Sequence, residues 1–302
     1  MTLSPTAKGV LFTLTATAIW SGNFIAARWF AQDIPPVTIA VLRWTCATLL
    51  VLPLSWRHLK ADWPVIRAHK GYFLLVSLLG VTGFNTLIYF AGHTTQALNL
   101  SLISTACTPL FMTAFGCLLL KECARPRQIS GMAVAFLGVA LLLTKGDWHV
   151  LTGLRFARGD LLMLLATLCF TSYSILMARR PGPSGQLAVF AVTFPLGLAC
   201  LLPFWALEIH FDPAFAAPSA SVFLHKWLPL GLYLGGAASL IAFFCWNKAV
   251  ECLGATKPAI IYLSLPAFAA LGALVILGEP ILPVHFISAA CIVAGILIAT
   301  RR

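Results

Sequence analysis

The sequence predicts an all-α integral membrane protein in which ten transmembrane helices form two inverted repeats of five. Three observations lead there. Of the 302 residues, 60% are apolar and only 10% are charged. Soluble domains carry about 25% charged residues, so this much apolar surface needs lipid as its solvent. The chain also divides into ten apolar runs, at roughly 8–30, 35–56, 71–92, 96–120, 127–144, 158–178, 185–207, 226–248, 255–278 and 283–300. Each is close to the ~20 residues that cross a bilayer. Finally, the pattern recurs: Pro109 and Pro266 interrupt their runs 157 residues apart, and Glu122 and Glu279 close those runs at the same spacing. Little of the chain is left for a soluble domain.

The first run raises the question of a cleaved leader, because "ATA" at 16–18 imitates a small-residue cleavage site after one lysine. Hydrophobicity continues to Phe30, however, and "LTATAIWSGNFIAAR" from Leu14 has a near-copy in "LLATLCFTSYSILMA" from Leu164. The expectation is a retained span. Trp20, Ser21 and Asn23 lie near its mid-depth, and their partners in the sixth run are Phe170, Thr171 and Tyr173. The second run carries Arg43, eight residues or about 12 Å along a helix from Pro35. It is the one fully charged residue well inside a span. In the third and fourth runs Thr82, Asn85, Tyr89, Ser101, Thr105 and Thr108 are polar or amphipathic. In the eighth and ninth, Ser239, Trp246, Tyr262 and Ser264 take similar places.

An offset of 150 pairs Pro53 of the second run with Pro203 of the seventh. After a longer loop around 208–225 the offset becomes 157, pairing Pro126 with Pro283 and Gly138 with Gly295. The predicted domains are therefore residues 1–146 and 147–302. Five spans per half is an odd number, so the second half enters the membrane upside down. Inverted repeats of this kind place a solute site where the halves meet, near the midplane. Pro109 and Pro266 free a backbone carbonyl one turn back and bend the helix. Membrane helices also tolerate proline as simple curvature, but symmetric placement at mid-depth favours a hinge.

Charge placement sets the orientation. With the N-terminus inside, fourteen Lys and Arg fall in inside segments and five (Arg28, Lys145, Arg155, Arg158 and Lys226) outside. This bias predicts a multi-pass protein of a bacterial-type inner membrane with both termini cytoplasmic. It also accounts for the formal charge of +11 without a nucleic-acid partner. The nine cysteines all lie in spans or on the cytoplasmic side. None has metal-site spacing or an outer-loop partner, so they are expected to pack. No metal and no cofactor is predicted.

Five-span halves, the patterns "PLF…LLLKE…P…G……G" and "PAF…VILGEP…G", and Arg43 after Pro35 resemble the EamA-type branch of the drug/metabolite transporter superfamily. The resemblance covers nearly the whole chain, once per half. The second copy departs from it in having Ser288 where the first has Gly131. General similarity is greatest to aromatic amino-acid exporters of the YddG kind. The resemblance implies an alternating-access exporter of small amphipathic metabolites, aromatic or other neutral amino acids first. A multidrug or cation exporter of the same superfamily is the alternative.

The candidate solute-binding residues are thus Trp20, Asn23, Thr82, Asn85, Tyr89, Ser101, Thr105, Phe170, Tyr173, Ser239 and Tyr262. Small hydroxyl residues often only hold membrane helices together, and Trp and Tyr often mark the interface. Trp20, Asn23, Asn85 and Tyr173 rank first, because an interfacial belt does not explain them at mid-depth. Arg43 has two readings: it meets a solute carboxylate, or backbone carbonyls and the outer surface satisfy it. Similar arginines occur in family members that handle different solutes, which favours the structural reading. No Asp or Glu lies near the middle of any run. A lipophilic-cation antiporter is expected to hold one there, so a neutral or zwitterionic solute without obligatory proton movement fits better. The rival class is an intramembrane hydrolase with Ser184 of "GPSG" as nucleophile and His285 as base. That serine sits in a Pro- and Gly-rich linker, so no enzyme is predicted. The expected partners are a small-molecule solute and the lipid bilayer, with the chain functional as a monomer.

Overall fold

The computed structural model describes residues 4–30, 34–95, 97–147, 149–152, 157–182, 184–211, 218–277 and 283–300, less the side chains at 23–30, 93, 97–99, 101, 151–152 and 273–277. Every regular element among them is helical. α1 is Pro5–Phe30 and α2 is Pro36–Ala68. α3 runs through Lys70–Ser77, a π-helical segment Leu78–Gly83, and Phe84–Thr94. α4 is Ala97–Phe115 with a π turn at Gly116–Leu120. α5 is Pro126–Thr144, α6 is Arg158–Ala178 and α7 is Gln186–Phe211. α8 joins Ala220–Val222, Phe223–Trp227, Leu228–Leu232, the π segment Tyr233–Ile241, and Ala242–Leu253. α9 comprises Thr256–Ile261, a 3₁₀ turn Tyr262–Ser264 and Leu265–Leu277, and α10 is Pro283–Thr300. Among the described residues, eight helical stretches are long and apolar enough to cross a membrane.

The helix ends follow from local chemistry. Proline opens α2, α5 and α10 at a position whose N–H would have no helical partner anyway. At α5 the Gln128 side chain accepts from the Arg125 N–H at 2.7 Å, and at α6 Asp160 accepts from the Ala157 N–H at 2.8 Å. The main departure from the sequence reading is α2. The apolar run ends near 56, yet the helix continues past Pro53 and Pro64 to Ala68. Trp56 and Trp63 are exposed there, and Lys60 lies over the Trp56 ring at 5.0 Å, as expected of an amphipathic segment at the membrane interface. A second departure concerns cysteines. Left-handed Lys121 folds the chain back at the end of α4, and Cys117 and Cys123 form a disulfide across that turn rather than merely packing.

α2 packs on α7, α5 on α10, α1 on α8 and α9, and α3 and α4 on α6. The α5–α10 seam is made by small residues. A Cβ on Gly131 would stand 2.5 Å from the Gly295 carbonyl oxygen, and one on Gly138 would stand 2.8 Å from that of Ser288. Such close backbone approach is how membrane helices gain van der Waals contact where no hydrophobic force separates them from lipid. Ser288 fits the position matching Gly131 because it is its own backbone, not its side chain, that meets Gly138. A large aromatic and aliphatic core fills the centre, while Leu118, Phe204, Phe211 and Phe286 are exposed outside. This is the surface distribution of a chain dissolved in hydrocarbon.

Candidate functional site

α1, α6, α8 and α9 bring their aromatic side chains to one place. The Trp20 ring lies 5.4 Å from Phe170, 5.6 Å from Phe243, 5.5 Å from Trp246 and 6.1 Å from Tyr262, mostly edge to face. This is the geometry that ring quadrupoles favour. Phe84 of α3 stacks on Phe170 at 4.8 Å. Tyr173 joins through Phe243 at 5.4 Å, and Trp44 of α2 through Phe243 at 5.9 Å. The polar handles of these rings are anchored to neighbouring helices. Trp20 Nε1 donates to the Ala238 carbonyl at 2.9 Å, Trp246 Nε1 to Ser174 Oγ at 2.9 Å, and Asn247 Nδ2 to the Tyr173 hydroxyl at 2.9 Å.

The π segment of α8 explains why a carbonyl is there to accept. An i→i+5 turn leaves backbone groups out of the regular ladder, and Ala238 lies within it. Gly235 lets this segment press on α2: a Cβ there would stand 2.7 Å from the Arg43 carbonyl and the Ala47 nitrogen. Arg43 reaches across the same contact. Its Nε donates to Ser239 Oγ at 2.6 Å and its Nη2 to the Ala238 carbonyl at 3.2 Å, and the residue is only 1% exposed.

Trp20, Phe170, Tyr173 and Tyr262, predicted from sequence, therefore meet, and Ser239 stands beside them under Arg43. Thr82 does not share this role: its hydroxyl donates to the Gly197 carbonyl at 3.0 Å and ties α3 to α7. Asn85 is buried with only a long 3.5 Å bond to the Gly80 carbonyl, and Tyr89 is buried with its hydroxyl unpartnered among the described residues. Thr105 is buried and partnered. The side chains of Asn23 and Ser101 lie outside the described residues. Sequence reasoning passed over Phe243, Asn247, Trp44, Phe84 and Ser104. Phe243 lies three residues before Trp246, so that helix face would have found it, whereas Asn247 is the next residue along and lies off that face.

Each proline lies four residues after a residue named above, Thr105 or Tyr262. Pro266 lacks the N–H that Tyr262 would otherwise receive at its carbonyl, and Pro109 does the same for Thr105. The chain tightens into a 3₁₀ turn at Tyr262–Ser264 just before Pro266. Across the gap, Ser104 Oγ and the Tyr262 hydroxyl lie 3.4 Å apart. The two interrupted helices thus face each other at the aromatic cluster.

Both ends of the bundle are pinned. At the end where α2 begins, Glu208 of α7 accepts from the Val37 and Thr38 N–H groups and the Thr38 hydroxyl, each at 2.8 Å. Trp205 Nε1 donates to the same hydroxyl at 3.0 Å. At the opposite end Arg180 and Lys248 pair with Glu251, the Gly185 N–H donates to Asp62 at 2.8 Å, and the Ala255 N–H to Glu122 at 3.0 Å. In the same region the Ser184 hydroxyl donates to the Pro181 carbonyl at 3.1 Å. Among the described residues no group of three or more His, Cys, Asp or Glu side chains comes together as a metal site would need.

Comparison with known proteins agrees with this architecture. The model of the EamA-like transporter family matches the chain twice, at residues 7–144 and 157–301. An uncharacterized transporter, YyaM, of Bacillus subtilis is 23% identical over 96% of this chain and 93% of its own length. A probable terminal-alkyne amino-acid exporter of Streptantibioticus cattleyicolor is 28% identical over 98% of this chain and 94% of its own. A probable amino-acid metabolite efflux pump of Escherichia coli is 22% identical over 96% and 94%. One crystal structure superposes with a TM-score of 0.74 at 20% identity, over 96% of both chains, which speaks to the fold alone.

Proposed function

We propose that this chain, which belongs to the EamA-like transporter family, exports small amphipathic metabolites by alternating access, with aromatic or other neutral amino acids as its solutes. The observation that carries the reading is the aromatic cluster of Trp20, Phe170, Tyr173, Trp246 and Tyr262, drawn from both halves of the chain and set where the interrupted helices meet. Rings of this kind offer stacking surface to an apolar body, and the anchored Trp and Tyr handles offer polar contact.

Ten spans in two inverted repeats, 1–146 and 147–302, fit the packing. Exchanging the halves turns the α1–α8 contact into the α6–α3 contact and maps the α2–α7 and α5–α10 pairs onto themselves. That is the relation an inverted-repeat carrier uses to expose one site to either side in turn. In this reading Pro109 and Pro266 are the hinges, the chain works as a monomer with both termini on the cytoplasmic side of an inner membrane, and neither metal nor cofactor takes part. Relatives named as amino-acid exporters support the solute class.

Counterflow in proteoliposomes tests it. Purified protein should exchange labelled phenylalanine or leucine, and lipophilic drug cations should not compete. An imposed pH gradient should leave the exchange rate unchanged. Counterflow of the cations without the amino acids would replace this reading by that of a multidrug exporter.

A further inference from the structure

Arg43 carries a charge that the described protein does not balance. Arginine keeps its proton in proteins and presents five N–H donors in a fixed fork. Here Nε and Nη2 are held by a neutral hydroxyl and a neutral carbonyl, and Nη1 is buried without an acceptor among the described residues. The Trp44 ring, 5.3 Å from the guanidinium carbon, adds only a weak attraction. The ion pairs of Arg180 and Lys248 with Glu251 lie at the bundle end, away from Arg43. A cation in hydrocarbon surroundings with a free donor edge is costly, and such residues mark solute paths or counter-ions.

The position of that edge says what completes it. Trp20 Nε1 and Arg43 Nη2 donate to the same Ala238 carbonyl, at 2.9 and 3.2 Å, so the two nitrogens are within about 6 Å of each other at ordinary hydrogen-bond geometry. The guanidinium therefore borders the aromatic cluster directly. Ser239 and the Gly235-dependent contact of α8 with α2 fix its orientation, which leaves little reorganisation for binding. The described residues around the cluster supply rings, hydroxyls and amides, and no carboxylate is among them.

We infer that Arg43 is the anion-recognising residue of the solute site, so that the substrates are organic carboxylates with an apolar body, selected by the carboxylate and not by an amine. This rests on the carrier reading above and narrows it. A carboxylate on Nη1 makes a charge-assisted bond and relieves the unpaired donor, while the apolar body lies against Trp20 and its neighbours. An amine finds no counter-charge there.

Binding to the purified wild-type protein decides the matter with three probes of one shape: phenylalanine, phenylalaninamide and 3-phenylpropionate, with the leucine series in parallel. Phenylalanine and 3-phenylpropionate should displace labelled amino acid with similar affinity, and the amide at least about tenfold more weakly, the scale of one lost charged hydrogen bond. Arg43→Gln should abolish that preference, and Arg43→Lys should keep part of it. A wild-type protein that binds amide and acid alike, or one that requires the amine, overturns the inference while leaving the carrier reading intact. Retention of the full acid preference in Arg43→Gln also overturns it. Binding of none of the probes removes the carrier reading and this inference together.

Discussion

Removing the Glu208 carboxylate should loosen one end of the bundle by an amount that can be worked out. The carboxylate holds α7 to the first turn of α2 through three acceptor bonds of 2.8 Å, two of them from backbone N–H groups that no helical carbonyl can serve. Hydrogen bonds to a charged group are each worth about 1.5–3 kcal/mol net when buried. Glu208 is only partly buried, and water can replace part of what is lost, so the three together should contribute about 2–3 kcal/mol. That corresponds to roughly 30- to 150-fold in the equilibrium between a sealed and an open end. The assay is alkylation of a cysteine placed at Ala40, which is fully buried just inside that end, in a background whose native cysteines have been replaced. Glu208→Ala should raise the labelling rate by that factor. Glu208→Gln, which keeps one accepting oxygen but no charge, should fall between. A Glu208→Ala protein that is folded yet labels within twofold of the parent refutes the idea that this carboxylate seals the α2–α7 seam.

Two further outcomes follow from the same geometry. Pro109→Ala and Pro266→Ala should lower turnover in counterflow more than they change solute affinity, because a restored helix bond opposes interconversion of states; unchanged turnover in both would make the prolines mere bends. Gly131→Val should cost more than about 3 kcal/mol in thermal stability or abolish expression, since its Cβ would stand 2.5 Å from the fixed Gly295 carbonyl oxygen; a normal melting temperature would show that α5 and α10 do not meet as described.

What the sequence determined by itself is the set of lengths. α6 and α10 begin and end where their apolar runs do, at 158–178 and 283–300, because hydrocarbon thickness fixes how many apolar residues a span needs. That Trp20, Phe170, Tyr173 and Tyr262 fall inside apolar runs was legible for the same reason. Which way each side chain faces was not. Lipid and protein interior are both apolar, so the period that marks the buried face of a soluble helix is muted here. Thr82 and Tyr173 therefore look alike as candidates, yet one ties helices together and the other joins the aromatic cluster. The overrun of α2 past residue 56 was hidden likewise, since interfacial helix is specified by Trp and Lys contacts and not by apolar length. Within the π segment at Tyr233–Ile241, Gly235 meets the α2 backbone, a contact between helices that no local pattern announces. That tertiary contact brings Ala238 and Ser239 to Arg43, across separations of 195 and 196 residues, and so decides what surrounds that buried charge.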